Sequence, residues 1–313
     1  MENYFIKRDD LKTEITLENA AKFVLYEIYP GIIFAFNEVY TGVLPKMTTG
    51  EAEDCICTIN YAADGTCGLY SSNGKYIYLR AGKLMISNEQ AKHSFEYPVG
   101  SYYGIEIFIM RRALKDKELL SFFKIDIEQL LYTYLQGSDT TVIVENMNLF
   151  KNTISDIMML YENRIVDLNL LRLHTFYILR MLTAGAVEFR CGYEGALSRS
   201  QVNMAKRAEQ ILTSDLMNRE TIADIAGEMG ISATSLKNYF RAVYGQNISE
   251  YLKEKRIDQA KKLLAETNLS VLDIANKVGF ESQSKFTAMF HAAIGLTPTE
   301  FRRSISQREI GRT

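Results

Sequence analysis

The chain has 313 residues, room for two domains or perhaps three at roughly 100–200 residues each. Apolar residues make up 47% and charged residues 24%, which excludes disordered and collagen-like classes, and no apolar run reaches the roughly 18 residues of a membrane span. The net charge of −2 is split unevenly, with 17 Lys+Arg against 13 Asp+Glu in residues 199–313 and 19 against 25 before them, so a basic end that meets a polyanion sits on an acidic body.

The start of the chain, Met1 to Asp10, has no apolar stretch or cleavage site of a secretory signal, so a cytoplasmic protein without membrane contact is expected. Short β-branched and aromatic runs follow: Ile32–Phe36, Cys55–Tyr61, Gly68–Tyr70, Tyr76–Leu79, Lys83–Ile86 and Tyr103–Met110. Asp64-Gly65 and Asn73-Gly74 read as hairpin turns, because both turn positions favour φ > 0. Strands this short and closely spaced predict an all-β barrel or sandwich with antiparallel pairing. Near residue 113 the period turns helical, first at Leu119–Phe123 and Ile127–Leu135. Two longer helices are predicted at 147–163 and 166–186; the second is apolar nearly all round, so more than one of its faces should be covered. Gly192, Gly195 and Ser198 mark a linker, and the chain beyond about residue 200 reads as helices.

Two stretches of that last part align on each other. Asp224, Ile225, Ala226 and Gly230 match Asp273, Ile274, Ala275 and Gly279, and then Ser232, Leu236, Phe240 and Gly245 match Ser282, Phe286, Phe290 and Gly295. Each copy reads as a helix-turn-helix. The glycine takes the left-handed position that ends the first helix, and the serine caps the second. Leu236 and Phe240, or Phe286 and Phe290, lie four apart and face the core together. The opposite faces carry Thr234, Lys237, Asn238 and Arg241 in copy one, and Gln283, Ser284, Lys285 and Thr287 in copy two. A helix with such a polar, acid-free face fits the major groove and reads base edges there. A plain bundle with a solvated polar face is the alternative for a single copy; two matched copies argue against it. Ile248–Glu266 between them predicts a spacer helix about 28 Å long, suited to two recognition helices in adjacent major-groove turns.

From about Val202 to Ser304 the chain resembles the DNA-binding domain of the AraC/XylS family of bacterial transcription regulators. The resemblance is carried by the second module and its exit, from Ile274-Ala275 through Gly279-Phe280, Phe286, Phe290, Gly295 and Pro298 to Arg302, and by Arg256, Ala260, Leu263 and Leu264 of the spacer. It implies base contacts by Thr234, Lys237, Asn238, Ser284, Lys285 and Ala288, with Arg241 and Thr287 on phosphates; Ala288 departs from the long polar residue often found there, so the second module would read fewer bases. The resemblance also implies an N-terminal cupin-like barrel for a small effector, followed by helices that dimerise.

Enzymatic chemistry finds little support. Phosphate-loop glycines and a Gly-x-Ser-x-Gly elbow are both missing, so no catalytic residues are assigned. Cys55 and Cys57 alternate on a strand and Cys67 could join them, but free cysteines are commonly small buried hydrophobes. The cupin His-x-His pattern is absent, and neither a metal nor another cofactor is expected. His174 reads as a core or interface residue. Weak effector-pocket candidates are Tyr61, Tyr78 and His93.

The sequence therefore predicts an α+β chain. Residues 1–190 form an antiparallel cupin-like barrel with helices from about 113, for effector binding and dimerisation; 191–200 are a linker; 201–306 are an all-α DNA-binding domain of two modules joined by a long helix. The expected partners are double-stranded DNA, a second copy of the chain and a small-molecule effector, with RNA polymerase a further candidate. A ligand-independent regulator, whose N-terminal domain only dimerises or binds a partner protein, is the alternative.

Overall fold

A computed structural model describes residues 4–9, 11–44, 54–71, 73–88, 95–115, 118–136, 140–185, 187–192, 194–217 and 220–310. His93 lies outside the described residues. The chain divides into two compact units, Met1–Arg199 and Ser200–Thr313.

The first unit is an antiparallel sheet with helices on one face. Its strands are β1 (Tyr4–Asp9), β2 (Lys12–Leu17), β3 (Ala21–Tyr29), β4 (Ile32–Val39), β5 (Cys55–Tyr70), β6 (Lys75–Arg80), β7 (Leu84–Ser87), β8 (Tyr102–Met110), β9 (Thr141–Val144), β10 (Phe189–Cys191) and β11 (Leu197–Ser198). The main path runs β1-β2-β3-β4-β8-β5-β7-β9-β10, while β6 pairs with β5 and β11. The path ends at β1 and β10 without joining them, so the barrel is open.

Both faces of the sheet are buried, which the period of two permits when each face meets a different layer. One face, with Phe34, Phe36, Ile105, Ile107 and Ile109, packs on the helices through Leu171, Phe176 and Leu179. The other curls over a second core that contains Ile15, Phe23, Val39, Cys67, Leu79, Tyr97 and Tyr102. Cys57 belongs to the first core and Cys67 to the second, so the cysteines do not converge.

The Asp64-Gly65 turn is overturned. β5 runs through it without reversing. The register shifts between Ala62 and Asp64, and the strand leaves its partner β8 after Gly65 to pair with β6 from Thr66 onward. Gly65 (φ +77°) bends the strand where it changes partners, and a Cβ there would stand 2.3 Å from the Ser101 carbonyl oxygen. Asn73-Gly74 is the true hairpin, with Gly74 at φ +81°.

The linker at 191–200 is corrected as well. Cys191 ends β10, Leu197–Ser198 pair with Tyr76 and Lys75 of β6, and a helix begins at Arg199. Three-residue and two-residue strands carry too little pattern to stand out in sequence.

The helices of this unit are α1 (Glu118–Phe122), α2 (Ile127–Tyr134), α3 (Lys151–Glu162) and α4 (Leu168–Thr183). Asp167 caps α4 by accepting from the Asn169 and Leu170 amides. The apolar surface of α4 is not wholly covered: Leu171, Phe176 and Leu179 are buried, but Leu170, Leu173 and Tyr177 are exposed.

The second unit is all helix: α5 (Arg199–Ser214), α6 (Ile222–Glu228), α7 (Ala233–Tyr244), α8 (Ile248–Glu266), α9 (Val271–Lys277), α10 (Gln283–Ile294) and α11 (Pro298–Ile310). The spacer α8 packs on α7 of the first module, on α9 of the second, and on α11. Its Tyr251 meets the rings of Phe240 and Tyr244, while Ile257, Ala260 and Leu264 join Ile274, Phe286 and Phe290.

Candidate nucleic-acid interface

Each module is built by local chemistry repeated along the chain. Thr221 caps α6 through the Asp224 amide, and the Asp224 carboxylate accepts in return from the Thr221 amide at 3.0 Å. Ser270 caps α9 through the Asp273 amide at 3.1 Å, and its hydroxyl donates to the Asp273 carboxylate at 2.6 Å. The repeated aspartates, visible in the sequence alignment of the two copies without an assigned role, are therefore cap partners. The Thr221 bonds hold the Asp224 carboxyl below its usual range.

Gly230 (φ +69°) and Gly279 (φ +79°) end the first helices in the left-handed conformation. The next amides, Ile231 and Phe280, return to the carbonyls of Ala226 and Ala275 at 3.0 and 2.9 Å. Ser232 and Ser282 then cap α7 and α10, accepting from the amides of Ser235 and Lys285. Leu236, Phe240, Phe286 and Phe290 are fully buried. That fixes the rotation of each recognition helix, so the residues between them face outward.

Thr234, Lys237, Asn238, Arg241, Gln283, Ser284 and Lys285 are all exposed, whereas Thr287 is half-buried. The side chains of Lys237, Asn238 and Arg241 make no hydrogen bond or ion pair with a described residue. Lys285 differs, because its ammonium pairs with the Glu281 carboxylate at 3.0 Å. The second face is thus not free of acid: Glu281 lies in the turn before α10, outside the run that defines that face, and only the folded turn brings it within reach.

Two arginines of the family pattern act inside the fold. Arg256 donates to the Leu216 carbonyl at 3.1 Å and lies over the Phe280 ring. Arg302 donates to the carbonyls of Leu264 and Leu269, at 3.4 and 2.7 Å, and so closes the C-terminal end of α8.

In the first unit the two weak effector candidates among the described residues, Tyr61 and Tyr78, line different places. Tyr61 lines a hollow of about 370 Å³ with Met147, Lys151, Ile154 and Met158. Tyr78 is buried on β6 and donates to Glu96. A polar cluster that the sequence reading missed lies deeper. Asn37 donates to Glu106 at 3.0 Å, and next to it the Tyr102 hydroxyl donates to Asn60 at 2.5 Å. Burial pushes the Glu106 carboxyl up to about 7, against the opposing bond from Asn37. The signal was present, since Glu106 is the one charge in the apolar run of β8.

The fold and its two capped modules define a double helix-turn-helix DNA-binding domain. Residues 225–304 match a family described as a helix-turn-helix domain. The transcriptional activator AarP of Providencia stuartii is 39% identical over 93 residues, which cover 30% of this chain and 69% of that protein. The transcriptional regulator ExsA of Pseudomonas aeruginosa is 33% identical over 98 residues, 31% of this chain and 35% of that protein. The solved C-terminal domain of AraT, a response regulator from Geobacillus stearothermophilus, is 26% identical and covers 32% of this chain and 84% of its own, with a TM-score of 0.31. The chain belongs to the AraC/XylS family of bacterial transcription regulators. It spans about two thirds of AarP but only about a third of ExsA.

Proposed function

We propose that this is a cytoplasmic, sequence-specific regulator whose two recognition helices, α7 and α10, read adjacent major-groove turns of one duplex. The observation that carries the reading is the pair of exposed polar faces set on identically capped frames, with Lys237, Asn238 and Arg241 unengaged. Thr234, Lys237, Asn238, Ser284 and Lys285 contact bases; Arg241 and Thr287 hold phosphates; Gln283 lies at the N-terminal end of α10, where recognition helices meet base edges. Selection of binding sites from random duplexes by the full chain tests this. Two conserved blocks about 10 base pairs apart are expected; selection of no sequence would remove the reading.

Residues 1–190 act in this proposal as a cupin-like regulatory domain for a small-molecule effector, ahead of the 201–306 DNA-binding domain. The interior cluster of Glu106, Asn37, Asn60 and Tyr102 supports it, because buried polar groups with one charge are what a ligand-orienting interior offers. Raised thermal stability of the full chain with a bound metabolite, together with changed operator affinity, is the expected outcome.

A second reading has its own observation. Leu170, Leu173 and Tyr177 of α4, with Met159 of α3 and Leu149 just before it, expose apolar surface that a second copy would cover. In that reading the N-terminal unit serves dimerisation, with or without an effector. Sedimentation of the full chain at tens of micromolar decides it: a dimer is expected, and a strict monomer with and without DNA removes it. RNA polymerase remains a candidate partner of the DNA-bound form. No helix among the described residues is long and apolar enough to cross a membrane.

A further inference from the structure

The same strands that turn Asn37 and Glu106 into the interior turn Glu38 and Tyr103 to the other face. There a groove of about 1050 Å³ opens between β2, β3, β4 and the C-terminal end of α3. At one end Lys12 and Lys22 both clamp Glu14, each at 3.2 Å, so the charge of Glu14 is already matched. The other end holds Glu38, Asp64 and Glu162, none of which has an ion-pair partner among the described residues. A single cation, the exposed Arg164, stands at that end.

Tyrosines wall the acidic end. Tyr161 stacks on Phe36 at 4.1 Å, which leaves its opposite ring face free of that contact, and Tyr103 lies 6.2 Å from Tyr161. Tyr26 and Tyr40 complete the lining. The Tyr161 hydroxyl donates to Glu38 at 2.6 Å, and the Tyr40 hydroxyl donates to the other Glu38 oxygen. The Tyr103 hydroxyl is buried without a partner. Burial raises the Tyr103 phenol to about 12, and Glu162 and Glu38 add to the rise. For Tyr40 the bond to Glu38 is the leading cause of a rise to about 12.

These contacts decide the sign of the ligand. Two of the phenols, Tyr40 and Tyr161, already donate to Glu38 and cannot also donate to an anion, while the Tyr103 hydroxyl is buried. Against the one guanidinium of Arg164 this end sets three carboxylates, of Glu38, Asp64 and Glu162, together with the negative faces of aromatic rings. Rings backed by carboxylates recognise ammonium and guanidinium groups. We propose that this outer groove is a binding site for a small organic cation, held by Glu38 and Glu162 against the rings of Tyr161 and Tyr103.

The site goes beyond the effector reading, and its test does not depend on any change in DNA binding. The full chain is titrated calorimetrically, at constant ionic strength, with choline, with agmatine and with 3,3-dimethylbutan-1-ol, the uncharged carbon analogue of choline. At least one cation is expected to bind, and the uncharged analogue about tenfold more weakly than choline if choline is the binder. Glu38→Gln is expected to weaken cation binding about tenfold or more. Glu162 is exposed, so Glu162→Gln will fold even if loss of the Glu38 charge disturbs the Tyr40 and Tyr161 bonds; it is expected to weaken binding by roughly threefold to tenfold. The proposal is overturned if neither cation binds at about 10 mM, if choline and its analogue bind alike, or if both carboxylate variants bind cations as the parent does. A bound cation that leaves operator affinity unchanged upholds the site and counts against an effector role for it.

Discussion

The two helix-turn-helix modules share a frame and differ in what surrounds it. Cap residue, left-handed glycine, second cap and paired core residues recur in the same order. Yet a Cβ on Gly230 would meet open space, whereas a Cβ on Gly279 would lie 2.0 Å from the Leu216 carbonyl oxygen. The first outward face has its cation and amide unengaged, while the second has its lysine held by Glu281 and an exposed alanine, Ala288. The frame is dictated locally, so duplication preserves it. The surroundings are not: Leu216 approaches Gly279 from distant chain, and Glu281 and Ala288 lie outside the frame, so the two modules diverge.

The largest expected effect tests the frames. Gly230→Ala should cost about 1–2 kcal/mol, the price of the left-handed backbone alone. Gly279→Ala adds a collision with rigid backbone and should cost about 2–5 kcal/mol, because overpacking adds about 1–3 to the strain. Denaturant unfolding of both variants measures this, and equal losses would break the contrast.

Next come the reading faces. Asn238→Ala should lose about 1–3 kcal/mol on the selected site and relax preference at one or two base pairs. Lys285→Ala should act on the other half of the site. Binding-site selection with the parent and with Lys285→Ala separates base reading from clamping: identical selected sequences, with affinity alone changed, would make α10 a backbone clamp.

Arg241→Ala should weaken selected and random DNA about equally, and should reduce the salt slope by about one unit. Binding measured across a salt series checks it; loss confined to the selected site would move Arg241 among the base readers.

The smallest effect concerns the pair that distinguishes α10. Glu281→Gln releases Lys285 from an exposed ion pair worth about 0–1 kcal/mol. DNA affinity should rise by up to about fivefold, with the gain shrinking at high salt. No gain at low salt would show that the pair does not compete with DNA.

What the sequence determined by itself was whatever depends on neighbours a few residues away. The bounds of α8, the serine caps, the left-handed glycines and the buried pairs of α7 and α10 all follow from i to i+4 chemistry. The family pattern rests on the same residues, which is why the DNA-binding half was legible. The tertiary structure alone decided the rest. Asp64-Gly65 carries a turn signature, but the exchange of β8 for β6 made it a bend within one strand. β1 to β3 went unread because charges such as Lys7, Glu14 and Lys22 interrupt their apolar pattern, and Lys22 of β3 meets Glu14 of β2 only once the two strands pair. The Glu281–Lys285 pair is an i to i+4 contact that the alignment of the two copies passed over, whereas the cation groove needs α3 laid against β4, more than a hundred residues away in sequence. Local chemistry specifies helices and caps, but pairing partners and cavities are set by which distant surfaces meet.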